Sequence, residues 1–142
     1  MKILITNFAL DVFRGSEVWC YAMASELKRR GHIVDIYTPM PGKFANEFEK
    51  LGCKFVKTGN YDLILDNHRE VKKDKFTGFI IHTCHGIIDG EKRMDDVINV
   101  AVSKKIAEKW NTDYIIPNGI DLNRFYPKTE PRKEIKKYFH YV

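Results

Sequence analysis

The sequence is short of the residues that build several common sites. Its three cysteines, Cys20, Cys53 and Cys84, are widely spaced and form no C-x-x-C pair. That excludes a disulfide framework and a paired-cysteine zinc site, and it predicts reduced thiols in a cytoplasmic protein. No apolar run approaches the ~20 residues of a transmembrane helix, and the apolar stretch at residues 1–6 is too short for a signal peptide. There is no G-x-G-x-x-G, which removes the ordinary dinucleotide fingerprint, and no G-x-x-x-x-G-K-[ST] of a P-loop. A G-x-S-x-G nucleophile elbow is missing too. Neither an arginine-rich arm nor a basic motif interleaved with aromatics is present, so nucleic acid is not an expected partner. Internal repeats and low-complexity stretches are also absent.

What remains is an ordinary globular composition, 44% hydrophobic and 30% charged over 142 residues, enough for one domain with a real core. The net charge of +5 favours anionic partners such as nucleotide phosphates or lipid headgroups, although a lysine-rich solvated surface gives the same number. The basic helix end at Lys28, Arg29 and Arg30 and the Lys72–Lys75 run carry the same two readings, peripheral contact with an anionic membrane or a solvated face.

Apolar runs alternate between strand and helix character. Lys2–Asn7 reads as a buried strand. Ser16 is expected to cap a helix with Glu17 in its first turn. Trp19, Met23 and Leu27, with Ala22 beside them, form its apolar face, and Gly31 ends it. Ile33–Thr38 is the next strand, which makes a right-handed strand–helix–strand unit. A helix over Lys43–Leu51 and strands at Cys53–Lys57 and Asp62–Asp66 come next. Glu70–Lys75 reads as charged and exposed, with room for one helical turn. Gly78–Thr83 is a strand, Ile87–Arg93 a loop, and Val97–Val102 a strand. Ser103 caps a helix with Ile106, Ala107 and Trp110 inward, and Tyr114–Ile116 is a last strand stopped by Pro117. This alternation predicts an α/β fold, a doubly wound parallel sheet of Rossmann-like type. Pro127–Pro131 turns polar, as a linker does, and Arg132–Val142 has the composition of a short amphipathic helix or the start of a further element.

Open parallel sheets bind ligands beyond the carboxyl ends of their strands, where the winding direction reverses. This rule selects Asn7 and the loop to Gly15, then Asn67, His68 and Arg69, then His85 and Gly86, then Ser103, and finally Asn118 and Gly119. Gly15 ahead of a helix allows backbone amides to approach a phosphate, but a tight turn also needs a glycine. His82, Cys84 and His85 resemble a metal cluster, yet residues 82 and 84 of a strand face away from 85, so no metal is expected. His85 at a strand end beside Gly86 is a candidate site residue or a structural histidine. Asp66 and Asp89 are candidate paired carboxylates.

The stretch Ile115–Pro127, IIPNGIDLNRFYP, closely resembles the segment that closes the N-terminal domain of family 4 retaining glycosyltransferases. Three further stretches resemble that family in the same order. These are Gly15-Ser16-Glu17 with the helix to Arg30-Gly31-His32, then His82-Thr83-Cys84-His85-Gly86, and then Val97–Ser103. The resemblance covers residues 1 to 127. It implies the N-terminal, acceptor-side half of a GT-B architecture over 1–127, with 128–142 as linker or the start of a donor-binding domain. Within these residues that second domain is missing, so the isolated chain is expected to be inactive.

The resemblance further implies transfer of a sugar from a nucleotide-sugar donor to a glycan, lipid or other acceptor, with retention and without a bound metal or other cofactor. A donor-binding domain, in the same chain or a separate one, is the implied partner. Arg14, Gly15 and Ser16 would approach the donor diphosphate, and His85 would face the sugar. Asn67, His68 and Arg69 would lie on the acceptor side, while Gly86, Ser103, Asn118, Gly119 and Asp121 would border the cleft. Arg14 departs from the family, which has a glycine there, and either narrows the backbone approach or adds a cation near the phosphate. A non-catalytic glycan- or nucleotide-binding module of the same fold is the alternative, and an unrelated nucleotide-binding Rossmann domain is a third reading.

Overall fold

A computed structural model describes residues 1–12, 14–68, 71–86 and 94–120. Seven strands form one sheet, parallel at every pairing: β1 Lys2–Thr6, β2 Ile33–Tyr37, β3 Lys54–Phe55, β4 Gly59–Asn67, β5 Phe76–Cys84, β6 Ile98–Ala101 and β7 Tyr114–Ile115. Their order is β3-β2-β1-β4-β5-β6-β7. The chain therefore winds outward in one direction from β1 and in the other from β4, and the reversal lies between these two neighbours. This is the doubly wound, Rossmann-like α/β fold that the alternation predicts. Parallel strands need crossovers and are buried on both faces, so β1 is apolar at its centre, with Ile3, Leu4 and Ile5 at most 1% exposed.

The helices are α1 Gly15–Arg29, α2 Ala45–Lys50 and α3 Lys104–Trp110. The first two cover one face of the sheet. There Cys20, Ala24, Phe44 and Phe48 pack on Ile3, Ile5, Val34, Ile36 and Leu65. The innermost line of α1 is Cys20 and Ala24. Trp19, Met23 and Leu27 pack at its margin, and Ala22 is exposed rather than part of the apolar face. The start of α1 also differs from expectation. Arg14 is the N-cap, without a side-chain cap bond, and Ser16 lies inside the helix, donating to Glu17 Oε2 at 3.0 Å. Because Gly15 and Ser16 already belong to the helix, the Ser16 hydroxyl comes too late in the chain to cap it. The helix ends as expected. Gly31 has φ +82°, and the His32 and Gly31 amides return to the Leu27 and Lys28 carbonyls in a Schellman motif.

The second face carries Leu4, Tyr61, Ile64, Val71 and Phe76. Val71 corrects the expectation of an exposed, charged segment at 70–75. It is 7% exposed, and beyond it the chain turns, with the Lys75 and Phe76 amides both donating to the Lys72 carbonyl. An apolar side chain beside this cluster is drawn in, whatever the charge of its neighbours. β4 starts earlier than expected, at Gly59, through a pairing irregularity with β5 between Asn60 and Leu63. Ser103 caps α3 as predicted, accepting from the Ile106 amide at 3.4 Å. The expected loop at 87–93, which includes Asp89, lies outside the described residues. So do the linker and terminal segment of residues 121–142.

The segment 8–12 is held by buried Leu10, by Asn7 and Thr38 side chains donating to the Ala9 and Phe8 carbonyls, and by close backbone contact. A Cβ on Gly42 would lie 2.2 Å from the Asp11 Cα, so only a glycine lets the two segments approach this closely. Gly42→Ala is expected to push the loop away and to cost about 1–3 kcal/mol, the usual penalty of overpacking. A shift in the urea midpoint at unchanged slope checks this.

Candidate functional site

Buried polar groups gather at the carboxyl ends of β4 and β5. Each strand is largely apolar ahead of its end and then switches to polar residues: Asp66 and Asn67 in β4, and His82 and Thr83 in β5, all 7% exposed or less. Side chains alternate between faces, so Asp66 and His82 share one face of the sheet and Asn67 the other.

On the α1 face, Asn67 bridges helix and strand. Its amide nitrogen donates to Cys20 Sγ at 2.9 Å, and its Oδ1 lies 3.0 Å from His85 Nε2. An amide oxygen only accepts, so Nε2 bears the proton and Nδ1 of the neutral ring keeps the lone pair. Trp19 meets the same imidazole edge-on at 5.1 Å between ring centroids. His68 lies over it at 6.4 Å, with a left-handed backbone at φ 55°. Burial, with His68 and His82 nearby, lowers the His85 pKa from an ordinary 6.5 to about 4. Burial likewise pushes the Cys20 thiol far up, against the pull of its Asn67 hydrogen bond. Cys20 is a protonated structural contact, not a nucleophile.

The His85 shift fixes the sign of a pH effect. Between about pH 6.5 and about pH 4 the unfolded chain takes up a proton at His85 that the folded chain refuses. Stability from this group is therefore whole above the upper value and is lost as pH falls toward the lower one. Urea midpoints across that window should fall with pH, and His85→Gln should flatten the slope.

On the opposite face, Asp66 is completely buried and accepts three hydrogen bonds. Oδ1 takes Thr6 Oγ1 at 2.6 Å and the Val71 amide at 2.8 Å, and Oδ2 takes His82 Nδ1 at 2.8 Å. His82 also meets Trp110 of α3, 6.1 Å away, and Trp110 Nε1 donates to the Gly86 carbonyl at 2.9 Å.

The two networks meet at a cavity of about 260 Å³ over the ends of β4 and β5, lined by Ser16, His68, His82, His85, Gly86 and Trp110 among others. A hollow of about 350 Å³ lies along α3 and β7, lined by Lys104, Glu108, Asn111 and Ile115 among others. It is larger but lacks a histidine and holds none of the predicted site residues, so the smaller cavity is the candidate site. Of the residues selected from sequence, Ser16, His68, His85 and Gly86 line it, and Asn67 orients His85 from beneath. Arg14 is exposed at the start of α1 and does not line it. A Cβ placed on Gly15 would meet nothing within 4 Å, so the backbone there is open. Ser103 is occupied in capping α3.

Asn118 and Gly119 are exposed and come after β7, two strand positions beyond β5, so they share the edge without entering the cavity. Arg69 and Asp121 lie outside the described residues. Sequence reasoning misses Asp66 and His82 as a pair. The available signal is that both are the first polar residues after apolar runs, in strands that pair in register with Asp66 opposite His82.

Among the described residues no group of three histidine, cysteine, aspartate or glutamate side chains converges on a metal position, and no described helix is long and apolar enough to cross a membrane. Arg29 and Arg30 both bind Glu26, at 2.7 Å each, which neutralises part of the basic helix end considered for membrane contact. No protein-family model matches the sequence, and neither a curated protein nor a solved structure gives a significant match.

Proposed function

We propose that the chain is the acceptor-side, N-terminal domain of a GT-B glycosyltransferase that moves a sugar from a nucleotide-sugar donor with retention, the donor being held by a second domain. The observation that supports this reading is the meeting of two sequence-distant stretches at one cavity. Ser16, from the Gly15-Ser16-Glu17 stretch, and His85 with Gly86, from the strand-end stretch, line the same 260 Å³ space. It lies at the carboxyl ends of β4 and β5, beside the point of winding reversal, where α/β sheets hold ligands. The start of α1 adds an uncapped helix N-terminus with open backbone at Gly15, an arrangement suited to a phosphate oxygen. His85 is a neutral, oriented imidazole and suits a sugar hydroxyl better than a charge. Exposed Phe8 and Met40, at the bridge that joins Ala9 to Met40, offer apolar surface to a lipid or glycan acceptor. Peripheral contact with a membrane belongs to the same proposal.

The test combines the chain with a donor-binding domain, in cis or in trans, and measures sugar transfer and donor hydrolysis. Activity that depends on both parts supports the reading. A chain that binds a dinucleotide tightly on its own, with no transfer in any combination, contradicts it. Arg14, in the place of a glycine, favours a second reading, a binding module without chemistry. Acceptor binding with no recoverable transfer would select that one.

A further inference from the structure

The Asp66–His82 pair is not used by the proposed function, and its position is unusual for a purely structural contact. Asp66 holds His82 Nδ1 at 2.8 Å, and Thr6 Oγ1 and the Val71 amide fix the carboxylate from its other oxygen. With the Nδ1 proton directed to Asp66, the neutral ring carries its lone pair on Nε2. Among the described residues Nε2 has no hydrogen-bond partner, while the one side-chain oxygen or nitrogen that is both unpartnered and sealed from solvent is Asn7 Oδ1. His82, 3% exposed, is nonetheless a wall of the cavity that His85 also lines. The two imidazoles are set in opposite tautomers, His85 by Asn67 and His82 by Asp66, and each is left with one lone pair.

We propose that His82, positioned by Asp66 and Thr6, is a second hydrogen-bond acceptor of the cavity, taking a hydroxyl of a neutral polyol ligand such as a sugar through Nε2. Two acceptors on one cavity, reached from opposite faces of the sheet, match a ligand with two hydroxyl donors better than a phosphate, which brings mainly acceptors at neutral pH. The inference rests on the preceding reading only in taking the cavity for a ligand site. Asp66 and Thr6 act through His82 and are positioning residues.

The experiment uses the intact chain with isotope-labelled imidazoles and glucose as the probe, a polyol with neither phosphate nor nucleoside. The free chain should show the His82 proton on Nδ1, and glucose should shift the His82 Nε2 resonance. His82→Phe should weaken glucose binding about tenfold, the equivalent of one ordinary hydrogen bond. Asp66→Asn should alter the His82 tautomer and weaken binding in parallel, a change that simple loss of packing would not produce. Where a variant fails to fold, the wild-type resonances decide. A proton on Nε2 in the free chain, no binding of glucose, or glucose binding that moves His85 and leaves His82 unchanged would each overturn the inference. Failure with glucose while the donor-complemented chain transfers sugar overturns this inference alone. A His82 response without any transfer overturns only the glycosyltransferase reading.

Discussion

Asp66→Ala is expected to destabilise the fold by about 3–5 kcal/mol, a large share of the roughly 5–15 kcal/mol that holds an ordinary domain folded. The reason lies in the number of donors it serves. Asp66 is 0% exposed and is the acceptor for Thr6 Oγ1, the Val71 amide and His82 Nδ1. Alanine leaves all three donors without their carboxylate partner and in low-dielectric surroundings, and each unsatisfied group costs about 1–3 kcal/mol. Asp66→Asn keeps the shape and one acceptor oxygen, so its cost should be clearly smaller. Chemical denaturation of the two variants ranks them: alanine removes both acceptor oxygens and the side-chain volume, asparagine only one acceptor oxygen. Equal stability of both variants and the parent would mean that the network is not formed in solution.

His85→Ala should have the largest effect on activity and a smaller one on stability. Its ring is held by the Asn67 oxygen at 3.0 Å and by Trp19, and it is neutral across the working range because burial keeps its pKa at about 4. An oriented polar group in such a site contributes on the order of 10²-fold to rate. Sugar transfer by the donor-complemented chain should therefore fall by about that factor, with the fold retained as judged by circular dichroism. Asn67→Ala should cost part of the same activity by releasing the ring. Full activity in His85→Ala would remove His85 from the proposed chemistry.

Much of the architecture is legible in the sequence because it depends on local pattern. Ile3, Leu4 and Ile5 mark a two-sided buried strand, and Gly31 after Lys28-Arg29-Arg30 marks a helix end. Parallel pairing is implied where helices separate the strands, as between β1 and β2, β2 and β3, and β6 and β7, but β4 and β5 pair in parallel with no helix among the described residues between them. The errors occur where tertiary contact overrides the local signal. Ser16 looks like a cap but lies inside the helix. Val71 looks like part of a charged surface but is pulled onto the cluster of Leu4 and Ile64. The candidate site divides along the same line. His85 and Gly86 are visible as polar residues ending an apolar strand. The Asp66–His82 pair is hidden because the register between β4 and β5 is a property of the sheet, and an irregularity before Leu63 shifts it. Local spacing sets His82 beside Cys84 and His85, its sequence neighbours, whereas its partner lies 16 residues away in sequence.

We propose that the space over β4 and β5 receives a nucleotide-activated sugar, with the start of α1 toward the phosphates and His85 toward the sugar. Nuclear magnetic resonance mapping of the labelled chain, complemented with a donor-binding domain, against a uridine and a guanosine diphosphate sugar, with a dinucleotide as control, tests it most directly. Perturbations are expected to be confined to Gly15, Ser16, His68, His85, Gly86 and their neighbours, with the sugar nucleotides producing them and the dinucleotide not. Perturbations along α3 and β7 instead, or tighter binding of the dinucleotide, would contradict it.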